Sequence, residues 1–588
     1  MRIWTGIATG AALLATPIAA DAARPAKAGA DATLRRLYTA EYAWRKQQQG
    51  PDEDDPAGTT RPLPDVGPAA QAAKLARWTQ TERALAAIRP AALSPAERIN
   101  YGVYKAQIDA LLAEQRFRDY EKPLSSDSSF WSDLADRSRE PFAREADYRR
   151  YLAMLRAIPR YFDQNIANMR AGLKRGFTPP QVTLKGRDIG VAQVAEAPSP
   201  EASPFYAPFR TMPATMPTAT QQALRTEAVA AIRDAVVPAH RALLAFLRTD
   251  YIPGARTGIA AAGLPDGLAY YQSKVAEYTT LDQMPEQVHA IGLAEVARIR
   301  ARMQAVMTTV GFKGDLPAFL TMLRTDPRFY AKTPQDLLDR AAWIAKTFDG
   351  KASRYFGHLP RSRFAIRPVP DDLAPFYTSG RGGPGVYLVN TYNLPSRALY
   401  ALPALTLHES APGHAFQMPL AAENKALPAF RRDTYLSVYG EGWALYCEAL
   451  GEEMGMYETP YDLFGMLSYQ AWRASRLVVD TGIHAKGWSR AQAQAYLHDN
   501  TALADHEIET EVDRYIAWPG QALSYYTGEL AIQAGRRRAE QALGPKFDIR
   551  AFHDMVLALG SVPIPVLNRG IDRFIAAGGK GPYPDEER

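Results

Sequence analysis

The chain of 588 residues has a single cysteine, Cys447. No disulfide can form within it, so its apolar core alone has to hold it together, which a chain of this length can do. Cys447 reads as a small buried hydrophobe and not as a nucleophile. Beyond the first 20 residues no apolar run is long enough to span a bilayer. Dense Lys/Arg runs are missing too. The net charge of +6 is spread along the chain, and with no nucleic-acid motif it describes a solvated basic surface. No repeat of fixed period occurs, and strand-like alternation is scarce.

What is present begins with the N-terminus. Arg2 is followed by an apolar run from Ile3 to Ala20 and then by small residues. This is the layout of a secretory leader over residues 1–22, cleaved near Ala20 to Ala22, which predicts an exported, periplasmic or secreted protein. No cysteine stands near the cleavage region to take a lipid. After cleavage no stable membrane span is expected. Residues 23–588 then read as one large domain, with the active-site half at about 360–588.

A first helix is expected around 31–47, then a polar Pro/Gly-rich loop. From about residue 71 apolar residues recur at three- and four-residue spacing. Ser94-Pro95-Ala96-Glu97 is a helix start, with similar starts at Met284-Pro285 and Thr333-Pro334. The Pro/Ala/Thr-rich stretch 179–219 is expected to join two helical layers. Strands are expected at 363–370 and 385–393, the second entered through a Gly-rich turn at 379–385. The fold class is therefore mainly α, with a small sheet beside the helix described next.

That helix carries Leu405-Thr406-Leu407-His408-Glu409-Ser410-Ala411-Pro412-Gly413-His414. A catalytic metal such as Zn²⁺ takes three protein ligands, often two His and a carboxylate, and a nearby Glu can move the proton of water. A spacing of four places two His on one helix face. Here the spacing is six, about 120° apart at 100° per residue. Pro412 cannot donate to the carbonyl of His408, and Gly413 can take unusual backbone angles. A local bulge at 411–413 is expected to return His414 to the face of His408, with Glu409 as the base. Glu441, 27 residues after His414 and flanked by Gly440 and Gly442, is the expected third ligand. Glu448, on the same face, either orients a His ligand or is a surface acid. Glu452 and Glu453 are expected in solvent.

Several blocks, among them "GLPDGLAYYQSKVAEYTT" (263–280), "YLVNTYNLPSR" (387–397), "TLHESAPGHAFQ", "YGEGWALYCE" and "ETEVDRYIAWPGQALSYYTGEL" (509–530), resemble the bacterial "domain of unknown function 885" family over roughly residues 33–578. The resemblance implies a large helical metallopeptidase-like fold with a deep groove, distantly similar to thimet-oligopeptidase-like and Taq-carboxypeptidase-like enzymes. It implies His408, His414 and Glu441 as zinc ligands and Glu409 as general base.

A tetrahedral intermediate also needs a donor for its oxyanion. Tyr525 and His484 are the candidates, with Tyr526 weaker; each is otherwise a packed core residue. Arg514 either holds a substrate carboxylate or pairs with Glu509 or Glu511. Arg476 and Asp480 read as a helix-surface pair at a spacing of four. Asn390 or Tyr392 either lies near the cleft, where the strand edge meets an extended peptide, or belongs to the sheet core. The expected activity is zinc-dependent cleavage of short peptides. The alternatives are a non-catalytic peptide-binding protein and another amide hydrolase acting on cell-wall peptides.

Overall fold

The computed structural model describes residues 23–49, 62–125, 128–371 and 373–583. The expected leader, and residues 50–61 of the polar loop, lie outside the described residues. The chain is mainly α, with one small sheet of three strands among the described residues. Among those residues no helix is long and apolar enough to cross a membrane.

The helix starts follow local chemistry. Ser94 Oγ accepts from the backbone N–H of Glu97 at the head of helix Pro95–Phe117. Thr333 and Asp336 cap helix Pro334–Asp349 reciprocally, as Thr459 and Asp462 cap helix Pro460–Lys486. The latter helix is buried along most of its length and packs along helix Pro285–Thr309. Gly292 permits that packing, since a Cβ there would lie 2.8 Å from Leu477 Cβ. A second close crossing joins helix Ser437–Glu453 to helix Ser524–Leu543 at Gly442 and Gly528. A Cβ on Gly442 would sit 2.5 Å from the Gly528 Cα. This contact brings Tyr525 to the cavity wall that also carries Glu441.

The buried apolar residues form two cores. The larger joins helices from both ends of the chain, including Tyr104, Tyr271, Trp443 and Leu477. The smaller is built mainly by residues between Leu124 and Ala255. The 179–219 stretch is folded and not an open loop. It folds into short helical turns whose Leu184, Val191, Phe205 and Phe209 are buried in the smaller core. Proline starts these turns without breaking them, because it occupies first-turn positions where no N–H is needed.

In the sheet, β1 (Ala365–Pro368) runs parallel to β3 (Val386–Val389), and β2 (Gly380–Gly383) pairs antiparallel with β3. The order β1-β3-β2 places β2 at one edge. The Gly-rich segment expected as a turn is thus itself a strand, and only Pro384–Gly385 turns, with Gly385 at φ +81°. Its glycines serve close approach: a Cβ on Gly382 would fall 1.7 Å from the carbonyl oxygen of Glu409.

Candidate metal centre

The helix Leu402–Glu409 does not bulge at Pro412; it ends, and a new helix, His414–Glu423, begins after four intervening residues. Pro412 has no N–H to continue the ladder, and Ser410 (φ −95°, ψ −119°) has left helical space. Ser410 Oγ caps back onto the Thr406 carbonyl at 2.6 Å, and Trp443 Nε1 donates to the Pro412 carbonyl at 2.8 Å. Gly413 is required for space and not for a positive φ, since a Cβ there would meet the His408 carbonyl oxygen at 1.8 Å. The break turns the chain back on itself, and His414 returns to His408.

His408 Nε2 lies 3.4 Å and His414 Nε2 3.3 Å from the same oxygen, Glu441 Oε2. One ligand atom from each of the three residues lies within 4.8 Å of the others. Both imidazoles are buried, and their rings meet edge to face. Glu448, fully buried, accepts from His408 Nδ1 at 2.7 Å, which fixes the tautomer that turns Nε2 toward Glu441. Glu448 is therefore the orienting residue and not a surface acid. Two imidazole nitrogens and one carboxylate, converging and shielded, suit a divalent cation that accepts mixed N and O donors.

Burial opposes a charged His408 ring, but hydrogen bonds to Glu441 and Glu448 overcome it and push its pKa up to about 10. Burial also works against a charged Glu441, yet the two histidines hold its carboxyl well below the usual range. The pocket is thus strongly set for an anionic Glu441 facing a positive charge, the role a bound cation would take from a proton.

His408, His414 and Glu441 line a cavity of about 2740 Å³. Glu409 lies on its wall without belonging to the three-residue cluster, and its Oε2 accepts from the backbone N–H of Gly382 at 2.7 Å. Tyr525 lies on the same wall with its ring against His408, 6.5 Å between centroids. Its hydroxyl accepts from Arg514 Nη2 at 3.3 Å. Arg514 also pairs with Glu511 at 3.5 Å, one of the two partners expected for it, while still facing the cavity. Tyr392, half exposed, lines the cavity as well.

Other expected site residues lie elsewhere. His484 is fully buried outside the cavity lining. Its Nδ1 accepts from the Ala261 N–H at 3.0 Å and its Nε2 meets the Tyr515 carbonyl at 2.9 Å, so it is a satisfied core histidine. Burial lowers its pKa to about 3. Tyr526 is buried, with its hydroxyl bound to Glu295 and Arg298. Asn390 is fully buried and donates to the carbonyls of Ala374, Tyr377 and Thr378, which makes it a loop clasp. Arg476 and Asp480 are neither on the surface nor paired. Asp480 accepts from Tyr271 Oη at 2.6 Å and the Gly520 N–H, and burial raises its pKa to about 7. Arg476 binds Glu511 at 2.8 Å. A one-turn spacing is compatible with a surface pair, but this helix face is buried and offers each residue a nearer partner.

Two contributors have no motif to announce them. Tyr435 donates to the second oxygen of Glu441, Oε1, at 2.8 Å, and Gly440 makes room for its ring. Gly382 supplies the N–H that holds Glu409. The first comes from six residues before its partner and the second from a strand edge, and only the fold joins them to the centre.

No curated protein matches this chain. A crystal structure from Colwellia psychrerythraea, described as a "putative lipoprotein", is similar at 26% identity and a TM-score of 0.83, over 94% of this chain and 99% of that one. A second, from Shewanella oneidensis and described as a "putative lipoprotein of unknown function", aligns at 18% identity and a TM-score of 0.63, over 92% and 98%. It shows the fold alone. The family described as "Bacterial protein of unknown function (DUF885)" matches residues 47–571, nearly the whole of the described chain, and the protein belongs to that family.

Proposed function

We propose that the chain is a zinc-dependent hydrolase that cuts peptide bonds in short peptides. The observation that carries this reading is the convergence of His408, His414 and Glu441 in a cavity that also holds Glu409 outside the ligand set. A scaffold has no need to bury three ligating groups at one point, and a pure binding site has no need of the additional carboxylate. The neighbours' description as lipoproteins supports a place in the cell envelope, in line with export to the periplasm or beyond.

Bound at the two imidazoles and Glu441, zinc would supply a Lewis acid for the substrate carbonyl and lower the pKa of a water molecule. Glu409 takes the proton of the attacking water and passes it to the leaving amine. The Gly382 N–H holds the Glu409 carboxylate in place. Tyr525 is the donor for the oxyanion. Its hydroxyl accepts from Arg514, so its own proton is left to point elsewhere, whereas the Tyr435 proton is committed to Glu441. A cavity of about 2740 Å³ exceeds the usual small-molecule pocket of roughly 300–1,000 Å³ and accommodates several residues of extended peptide.

The test is metal content of the purified protein, followed by turnover of an unbiased peptide mixture before and after chelation. Metal at one equivalent and chelator-sensitive cleavage are expected. Metal without any cleavage would leave a binding protein. Tyr525→Phe is expected to lower turnover by about 10²–10³-fold with metal retained. Unchanged kinetics in that variant, with a large loss in Tyr435→Phe, would move the oxyanion role to Tyr435.

A further inference from the structure

Beside the candidate centre, the cavity wall carries three arginines, two of them stacked on one ring and the third hydrogen-bonded to Tyr525. Arg473 and Arg476 project from helix Pro460–Lys486, and Arg514 from helix Asp505–Ala517. The guanidinium of Arg473 lies 3.8 Å from the centre of the Trp472 ring and that of Arg476 4.5 Å from it. Arg476 also lies 4.2 Å from the ring centre of Tyr525, the residue packed on His408. The stacking fixes the planes of the guanidinium groups and ties the layer to the reaction centre.

Arg476 and Arg514 both pair with one carboxylate, Glu511. Among the described residues Arg473 pairs with Glu448, at 3.8 Å, which is already hydrogen-bonded to His408. Arg473 is 4% exposed and Arg476 1%, so water does not neutralise them. Among the described residues, Nε and Nη1 of Arg473 and Nη1 of Arg476 have no hydrogen-bond acceptor. A buried guanidinium with unfilled N–H groups is costly unless an acceptor arrives in the working complex. Both side chains line the cavity, so a ligand there lies beside their guanidinium groups.

We propose that the Arg473–Arg476–Arg514 layer receives a carboxylate of the substrate, placing that group one or a few residues from the bond held at His408 and Glu409. The inference rests on the peptidase reading for its reaction and on the arginine layer for its selectivity. Two sources supply the same chemistry: the free C-terminus of a short peptide, or an acidic side chain. The planar fork of each guanidinium suits a carboxylate in either case.

The probes are two random pentapeptide pools, identical except for a C-terminal carboxylate or carboxamide. With the zinc-loaded protein, the carboxylate pool is expected to be cleaved about tenfold faster or more in kcat/KM, a modest expectation for charge-assisted contacts. Arg473→Met and Arg514→Gln should each reduce that preference to about twofold or less, with metal content retained. Arg569→Gln, on another part of the wall, should keep it. Because Arg473 is buried, Arg514→Gln provides the variant that is safer to fold. If the carboxamide pool is cleaved as fast, amidated peptides bearing Asp or Glu are compared with those bearing Asn or Gln. A preference for the acidic set supports the layer with a side chain as its ligand. Equal cleavage in both comparisons overturns the proposal and leaves the peptidase reading standing. So does a preference that survives both arginine variants. If neither pool is cleaved, equilibrium dialysis of the same pools decides the matter separately: selective retention of carboxylates, lost in Arg514→Gln, supports the layer while the hydrolase reading falls. Equal retention overturns the layer too.

Discussion

Glu409→Gln is expected to keep its metal and lose about 10²–10⁴-fold of its turnover. The substitution changes one atom type and almost no volume. Glu409 Oε2 accepts from the Gly382 N–H at 2.7 Å, and the amide oxygen of glutamine can accept the same bond. Placement is therefore preserved while the proton acceptor is lost. Glu409 lies outside the ligand cluster, so metal content should not fall. The measurement is cleavage of a peptide mixture set beside metal per chain. Near-normal turnover, with wild-type contamination excluded, would remove Glu409 from the reaction.

His414→Ala is expected to abolish both metal binding and activity, because two remaining ligands do not close a site of this kind. Glu448→Gln gives the graded counterpart. It leaves the three ligands in place but weakens the acceptor that orients His408, and a loss of about 10–100-fold in metal affinity is expected. Competition with a chromophoric chelator reads both effects. Thermal melting supplies a second readout, since a ligand at 100 times its Kd stabilises the folded state by about 2.7 kcal/mol. Added zinc should raise the Tm of the wild type and not that of His414→Ala. Equal binding by the wild type and His414→Ala would refute the metal centre.

The convergence of His408, His414 and Glu441 was legible in the sequence because its parts are local. His408, Glu409 and His414 are neighbours along the chain, and Glu441 follows on the next long helix with glycines on both sides. Helix periodicity and caps likewise act over a few residues, and the starts at Ser94, Pro285 and Thr333 are where the caps put them. The break after Glu409 was read as a bulge because proline chemistry states that a helix is interrupted, not how far the chain travels before it resumes.

Tertiary structure alone decided which side chains share the centre. Tyr525 and His484 are equally plausible donors in sequence. The close crossing at Gly442 and Gly528 carries Tyr525 to the wall that holds His408, while the packing of helix Pro460–Lys486 presses His484 between two backbone groups. The spacing of Arg476 and Asp480 fits a solvent-facing pair, but burial on both sides of their helix hands one to Glu511 and the other to Tyr271. Gly382 and Tyr435 reach the centre from a strand edge and a loop. Local order in this protein follows from neighbouring residues, whereas the partners of each polar side chain follow from which surfaces the apolar core brings face to face.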